Sequence, residues 1–383
     1  MRYLYFLGYL AIPLAFLVHF SGHGKNWEPT ATFLLAALGV VPLAHLMGEA
    51  TEQLTEKTGP TWGGLLNATF GNAAELIIAI IGLSKGLNDI VKASLTGSII
   101  GNLLLVSGGA MVVGGWKREK QIFNRSSAET NAGLLAIAAA AMMLPAVFHF
   151  SFRLTDARLI EHEHAVSIGT SIILLAVYGL GMLFTLKTHA HVFTRPPCES
   201  PEDSGGYGGT HEAWSVRRSV LTLVAASAGV ALVAELLVGS AESMAHKLGW
   251  NYIFVGVILL AIIGNAAEHS TALLLARRND METAMTITYQ SSLQIALFVT
   301  PLLILLSAFM VSTGFGMTHG AERVAMNLIF SPLEVIAVFL SVAILILLGL
   351  NGETNWFEGA LLLALYAILA IAFFYIPAGL PGR

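Results

Sequence analysis

Two acidic residues stand where acids are costly. Gly71-Asn72-Ala73-Ala74-Glu75 recurs as Gly264-Asn265-Ala266-Ala267-Glu268, 193 positions later and without a gap. Glu75 lies within a predicted apolar span over 61–84, and Glu268 within one over 252–276. An acid at mid-bilayer depth costs roughly 2.5–3.5 kcal/mol on insertion scales, so two in equivalent places call for a function. Gly and Asn weaken a helix interior, and Gly permits irregular backbone. A helix broken at each Gly-Asn would free backbone carbonyls that can point at a cation. Such backbone is tolerated at this depth only where it lines a polar cavity or is buried in protein. Two carboxylates, freed carbonyls and nearby amide and hydroxyl oxygens make an all-oxygen donor set. That set suits a hard cation, Ca2+ above all, which takes about 6–8 oxygen ligands. No Cys or His cluster stands at this depth, which argues against zinc or copper as the main substrate. His269 projects about 100° around the helix from Glu268 and is expected to pack or hydrogen-bond rather than to ligate.

The same acids predict coupling. Close together they repel, and burial disfavours their charge. Without a divalent cation the pair is expected to take up protons, and with Ca2+ bound both acids ionise. Cation and protons then compete for one site, which titrates as a unit. The span after each motif supplies further polar groups. In the first half these are Ser98 and Asn102, and in the second Ser291, Ser292 and Gln294. Bonding between neighbouring helices is the alternative role for such residues.

The elements that position these groups follow from composition. Apolar types make up 55% of the 383 residues and charged types 11%, with a mean hydropathy of +0.72. A soluble domain carries about 25% charged residues, so a soluble globule, a coiled coil and a disordered chain are excluded. A net charge of −4 leaves no basic footprint for nucleic acid. The single cysteine, Cys198, excludes an intrachain disulfide and a Cys-based metal cluster. Continuous rather than alternating apolar runs disfavour a β-barrel. The expected fold is an all-α polytopic membrane protein with about eleven spans. They fall near 3–20, 30–52, 61–84, 90–115, 128–150, 165–187, 216–240, 252–276, 284–312, 325–349 and 357–378. Arg2 and the run after it could open a signal peptide, but the run ends at His19-Phe20-Ser21 without an Ala-x-Ala-like site, so a retained helix is expected. Residues 188–214, with Pro196, Pro197, Glu199, Glu202, Asp203 and Gly205–Gly209, read as a flexible acidic linker. Placing the N-terminus in the cytoplasm puts twelve of the 20 Lys and Arg inside, among them the stretch from Lys117 to Arg125 and the pair Arg277-Arg278. The C-terminus then falls outside.

Between 63 and 106, twelve of 44 positions are identical at the offset of 193. They include Gly63 with Gly256, Ala79 with Ala272 and Ser98 with Ser291. This is an internal duplication. It divides the chain into an extra N-terminal helix (1–28), a first five-helix repeat (29–187), the linker (188–214) and a second five-helix repeat (215–383). Five is odd, so the second copy enters the membrane from the opposite side. Inverted repeats with a midplane site are the plan of secondary transporters.

On these residues the sequence resembles the Ca2+/H+ antiporters, the proton-coupled branch of the cation/Ca2+ exchanger superfamily. Gly264-Asn265-Ala266-Ala267-Glu268-His269 resembles that branch's signature, where sodium-coupled exchangers usually show Gly-Thr-Ser. Further matches are Ala50-Thr51-Glu52-Gln53-Leu54, Gly97-Ser98 with Asn102, Gln294-Ile295-Ala296-Leu297-Phe298-Val299 and Asn355-Trp356-Phe357-Glu358-Gly359. The resemblance implies an eleven-helix inverted-repeat fold with one Ca2+ between the two motifs. By position Glu75 and Glu268 would be the essential carboxylates and would bind the protons. Carbonyls at Gly71 and Gly264 would face the ion, and Asn72, Asn265, Ser98, Ser291 and Gln294 would bind it directly or through water. One departure stands at Gly101, where the family often has Ser before Asn102. The N-terminal extension of vacuolar relatives is absent, which suggests a prokaryotic plasma-membrane exporter.

Other acids form a second tier. Glu49, Glu52 and Glu56 share one helical face, and Glu235, Glu242 and His246 roughly repeat that spacing. By family analogy these helices gate the pathway, with Glu52 or Glu235 relaying protons; acids snorkelling near the surface are the alternative. Glu334, after Pro332, is expected to line a cavity or to rest in a polar helix contact. Glu161-His162-Glu163-His164 and His189-x-His191 are expected to be solvated loop. The expected function is exchange of Ca2+ for H+ by alternating access. The alternatives are a sodium-coupled or other divalent-cation exchanger on the same fold, and a cation channel. No His-Glu-x-x-His or Gly-x-Ser-x-Gly is present, so neither an enzyme nor a resident cofactor is expected. The expected partners are Ca2+, H+ and the bilayer, without nucleic acid, and a homo-oligomer is compatible with this reading.

Overall fold

The computed structural model describes residues 2–22, 24–152, 157–188, 214–317, 324–349 and 351–377, with backbone alone at 2–4, 59–65, 67, 68, 152 and 157–161. Nearly all of the expected linker, together with Cys198, His189 and His191, lies outside the described residues.

The helices, in chain order, are α1 (Arg2–Ser21), α2 (Glu28–Phe70), α3 (Ala73–Ser84), α4 (Asn88–Gly115), α5 (Arg125–Phe152), α6 (Ala157–Leu183), α7 (Val216–Leu248), α8 (Tyr252–Gly264), α9 (Ala266–Arg277), α10 (Met281–Thr313), α11 (Pro332–Gly349) and α12 (Trp356–Phe374). One two-residue antiparallel ladder pairs Gln121 with Thr354 and Ile122 with Glu353. Among the described residues eight helices are long and apolar enough to cross a membrane, or nine when the bent pair α8–α9 counts as one span. Large apolar side chains such as Ile137, Leu144, Leu232, Phe339 and Leu347 stand exposed along them, as do Leu17 and Phe20 on the shorter α1. That is how helices packed in lipid look, because lipid does not penalise an outward apolar face. The chain is a polytopic helical membrane protein.

Two expected boundaries are corrected. The spans 30–52 and 61–84 are not separated by a turn, because α2 runs unbroken through Phe70. Glu52, Gln53, Leu54, Glu56 and Lys57 end the apolar run, but all are good helix formers, so the charge change does not end the helix. The break falls instead at Gly71-Asn72. The tenth span starts at Pro332, not 325. Pro favours the first helical position, and residues 324–331 before it are non-helical.

The backbone around the two motif copies shows matching features. The helices α3 and α9 are 12 residues each and start 193 positions apart, as do α4 and α10. Gly86 (φ 76°) and Asn279 (φ 69°) occupy equivalent positions after them. Glycine takes this left-handed turn without strain, and Asn is the side chain that tolerates it best. Wide π-turns interrupt α4 at Gly101–Val106 and α10 at Ile295–Val299, again at matching places. The equivalent helices end at opposite ends of the molecule. Lys85, after α3, meets Glu235 near the start of α4, whereas Ala276 in α9 meets Gln121 beyond the end of α4.

Two apolar cores lie side by side. One joins α1, α2 and α7 through Phe33, Val40, Met47, Val230, Val233 and Leu237. The other joins α4, α5, α10, α11 and α12 through Leu103, Leu135, Leu303, Leu345 and Leu362. The motif helices contribute to both: Ala73, Ala74 and Ile78 to the first, Ala79, Leu83 and Ala272 to the second. The repeated motif therefore sits on the seam between two packed bodies.

Candidate functional site

Both helix breaks have the same local geometry. Asn72 (φ −101°, ψ 29°) caps α3 and Asn265 (φ −91°, ψ 7°) caps α9. At the second break the helix axis turns by 61°. Glu75 and Glu268 each stand in the first turn of the following helix, where the positive end of the helix dipole favours a carboxylate.

An Asn-x-x-Glu at a helix start has an ordinary structural use, the reciprocal capping box. Asn355 and Glu358 form one at the start of α12. Ser331 and Glu334 form another at α11, with bonds of 2.9 and 3.3 Å. The two motif copies do not. Neither Asn72 nor Asn265 makes a side-chain cap bond, and both reach into the other half of the chain.

Their bonds exchange partners between the halves. The Asn265 amide donates to Ser98 Oγ at 2.8 Å, and Ser291 Oγ donates to Asn72 Oδ1 at 3.2 Å. Asn72 and Asn265 are equivalent in the duplication, as are Ser98 and Ser291. Each asparagine thus meets the serine of the opposite half, as related halves facing one another across an axis must. The network extends further on one side. Asn72 Nδ2 donates to Gln294 Oε1 at 2.5 Å, Asn102 Nδ2 donates to Ser291 Oγ at 2.9 Å, and His269 Nε2 lies 3.1 Å from Asn102 Oδ1. An amide oxygen only accepts, so His269 carries its proton on Nε2 in this contact. His269 is thus a hydrogen-bonding residue, as its sequence position predicts.

The acids close the site. Glu75 is buried, and a Cβ on Gly264 would lie 3.2 Å from its Cγ, so the second motif's glycine makes room for the first motif's acid. The two carboxyls are near enough to feel one another's charge. Glu268 is half-buried, within hydrogen-bonding reach of Ser291. Two enclosed oxygens have no protein donor among the described residues: Glu268 Oε2 and Asn265 Oδ1. Buried polar atoms are nearly always satisfied, so a proton, water or cation is the natural partner here. Among the described residues no group of three or more His, Cys, Asp or Glu is placed to hold a metal. A cation at this site would rely on two carboxylates supplemented by amide, hydroxyl and carbonyl oxygens, a donor set that fits a hard cation.

The structure brings together Asn72, Glu75, Ser98, Asn102, Gly264, Asn265, Glu268, Ser291 and Gln294. Gly71 stands at the first break, next to Asn72. Gly101 occupies the place equivalent to Gln294, and a Cβ there would meet nothing within 4 Å. Asn265 accordingly lacks the glutamine contact that Asn72 has. The second-tier acids stand apart. Glu52 is half-buried on α2, Glu235 is in an exposed ion pair with Lys85 at 2.6 Å, and Glu242 faces Tyr252. Glu334 both caps α11 and accepts from Thr96 Oγ1 at 2.7 Å, so its polar contact is with α4. The stretch 161–164, read as solvated loop, is corrected: it lies within α6, and on it Glu163 is buried and 2.5 Å from His149 Nδ1. A buried carboxylate needs a partner, and a histidine 14 residues away supplied one that local sequence did not reveal. The Glu161 side chain lies outside the described residues. Sequence reasoning also missed Lys92, a buried lysine on α4. A lone charge in an apolar run was the available signal.

Paired helix breaks, one carrying a buried acid and the other a half-buried one, on a bundle of apolar helices define a polytopic membrane protein with a polar cluster between its two packed bodies. The chain belongs to the sodium/calcium exchanger protein family, whose sequence pattern matches residues 28–187 and residues 218–375, one match in each half. It is 41% identical over 375 residues to the Ca(2+)/H(+) antiporter of Aphanothece halophytica, covering 96% of this chain and 95% of the relative. It is 39% identical over 376 residues to the Ca(2+)/H(+) antiporter ChaA of Bacillus subtilis (strain 168), covering 98% and 99%. The solved structure of native YfkE superposes with a TM-score of 0.78 at 37% identity, over 97% of this chain and 100% of that one.

Proposed function

We propose that this protein exchanges Ca2+ for H+ across a membrane by alternating access, with both substrates competing for Glu75 and Glu268. The observation that carries the reading is the exchanged pairing, Asn72 with Ser291 and Asn265 with Ser98, around an acid oxygen that has no protein donor among the described residues. Two of its relatives are named Ca(2+)/H(+) antiporters, which supports both substrates.

In this reading an extra helix (1–28) and two inverted repeats (29–187 and 215–383), the first opening with the continuous α2, are joined by the 188–214 linker, with the N-terminus cytoplasmic and the C-terminus outside. Ca2+ binds between the repeats. Glu75 and Glu268 supply its negative charge. Asn72, Asn265, Ser98, Ser291, Gln294 and Asn102 supply or hold neutral oxygens, and the Gly71 and Gly264 carbonyls complete the shell. When Ca2+ leaves, two adjacent buried carboxylates cannot both stay ionised, so protons replace it. The empty site therefore returns loaded, which couples the two fluxes. The seam between the two apolar cores is where one body moves against the other, and Glu52, half-buried on α2, relays protons along it.

The test is Ca2+ flux in proteoliposomes under an imposed proton gradient or an imposed sodium gradient. Uptake under the proton gradient alone, abolished by Glu75→Gln and by Glu268→Gln, is expected. Uptake driven by sodium would move the protein to the sodium-coupled class. Ohmic current without countertransport would make it a channel. Unchanged uptake in Glu75→Gln would remove the site.

A further inference from the structure

Inverted halves alone would give the two membrane faces matching approaches to the site. Two cavities, one toward each end of the bundle, differ in size. At the end where α4 begins, a cavity of about 470 Å³ is lined by Asp89, Lys92, His246, Trp250, Ser331 and Glu334. At the other end a cavity of about 10 Å³ is lined by Asn124, Ser127, Glu282 and Met285, among others. The two share two equivalent lining positions. Asp89 is equivalent to Glu282 and Lys92 to Met285 at the offset of 193. Each cavity also adjoins a capped helix start: Ser331 at α11, and Asn124, whose Oδ1 accepts from Ser127 N at 3.1 Å, at α5. Of these two cavities the wide one therefore carries a lysine and the small one a methionine at the equivalent position.

Lys92 is held firmly in the wide cavity. Its Nζ lies 3.0 Å from the Ile329 carbonyl, 3.3 Å from Asp89 Oδ1 and 3.4 Å from Asn327 Oδ1. Three oxygens around a cation are the beginning of a cation site, and here the ammonium already fills it. Glu334 stands in the same cavity, buried and tied to Thr96. Thr96 is two residues before Ser98, so this wall leads to the central site. Lys92 is about 9 Å from Ser98 along the α4 axis. Between them Gly97 packs so closely on the Val257 backbone that a Cβ would overlap it, which separates cavity and site in this conformation.

We propose that Lys92 sets the sidedness of the exchanger: the wide cavity is the access vestibule of one face, and Lys92 within it keeps divalent cations from binding there. Its charge repels a doubly charged ion in or near the cavity, and its ammonium occupies the oxygens that such an ion would use. Glu334 acts in the opposite sense, attracting the cation to the same vestibule. The face with Lys92 becomes the face of release, and the face with Met285 the face of uptake. This inference rests on the exchange proposed above.

The experiment measures half-saturating Ca2+ for proton-driven uptake from each face, in inverted and right-side-out vesicles containing the full chain. Lys92→Met, which installs the residue found at the equivalent position, is expected to lower half-saturating Ca2+ about tenfold on one face, with less than a twofold change on the other. Glu334→Gln, which retains the capping geometry, is expected to raise it several-fold on that same face only. Equal changes on both faces, or none in a transporting variant, overturn the inference. If Lys92→Met fails to accumulate in membranes, the Glu334→Gln result decides: a one-sided rise supports the proposal, and a two-sided or absent one overturns it. Wild-type vesicles without proton-driven Ca2+ uptake would instead overturn the underlying exchange.

Discussion

Ser98 and Ser291 are equivalent in sequence, yet the structure predicts unequal consequences for removing their hydroxyls. Ser291 Oγ joins two buried groups, accepting from the Asn102 amide and donating to Asn72 Oδ1. Ser291→Ala leaves both without that partner. At about 1–1.5 kcal/mol for each lost bond in a buried setting, the loss is about 2–3 kcal/mol, or roughly 30- to 150-fold in an equilibrium constant. Among the described residues Ser98 Oγ makes one bond, accepting from Asn265 Nδ2, which keeps its second bond, to the Ala261 carbonyl at 2.9 Å. Ser98→Ala therefore costs about 1 kcal/mol, or about fivefold. The network aims asparagine oxygens at the site, so the difference is expected in half-saturating Ca2+ more than in folding. Proton-driven uptake in proteoliposomes reads the first, and melting in detergent reads the second. Ser98→Ala proving as damaging to uptake as Ser291→Ala would refute the argument, as would a near-neutral Ser291→Ala.

The remaining predictions concern protons, packing and charge. Acid protonates the Glu75–Glu268 pair and so competes with the cation; half-saturating Ca2+ should rise as pH falls, by up to about 100-fold per unit where two protons compete and about tenfold where one does. A pH-independent value in a buffered titration contradicts competition. Gly97→Ala places a methyl group against the Val257 backbone, and overpacking of this kind costs about 1–3 kcal/mol. Melting should fall by several degrees, whereas Gly133→Ala, with open space around its Cβ, should hold or raise it through better helix propensity. Glu235 is in an exposed pair with Lys85, and such pairs contribute about 0–1 kcal/mol. Glu235→Gln is expected to keep proton-driven uptake within about twofold of wild type, while Glu52→Gln slows it.

Much of the site was legible because its signal is local and repeated. A five-residue motif containing Asn and Glu stands out within apolar spans, and an exact duplication marks it twice. The resulting candidates, Asn72, Asn265, Ser98 and Ser291, are joined in the structure by the bonds described above. The helix boundaries were less legible where polarity and helix propensity diverge, as at Glu52–Lys57 in α2. The burial of Glu163 against His149 was not legible, since the partner lies on another helix.

The amino-acid order alone determined that the chain is that of a helical membrane protein, that one five-residue motif occurs twice, and which residues are costly in a bilayer. These are consequences of composition and spacing, which act without any knowledge of neighbours. Only the tertiary structure decided that the two asparagines forgo their own helix caps to reach the opposite half, that Glu268 keeps an oxygen without a donor among the described residues, and that Lys92 fills one end of the bundle where Met285 fills the other. Those outcomes depend on which side chains meet across hundreds of residues. Long-range packing sets that meeting, because a buried polar atom takes whichever partner the fold brings within about 3 Å.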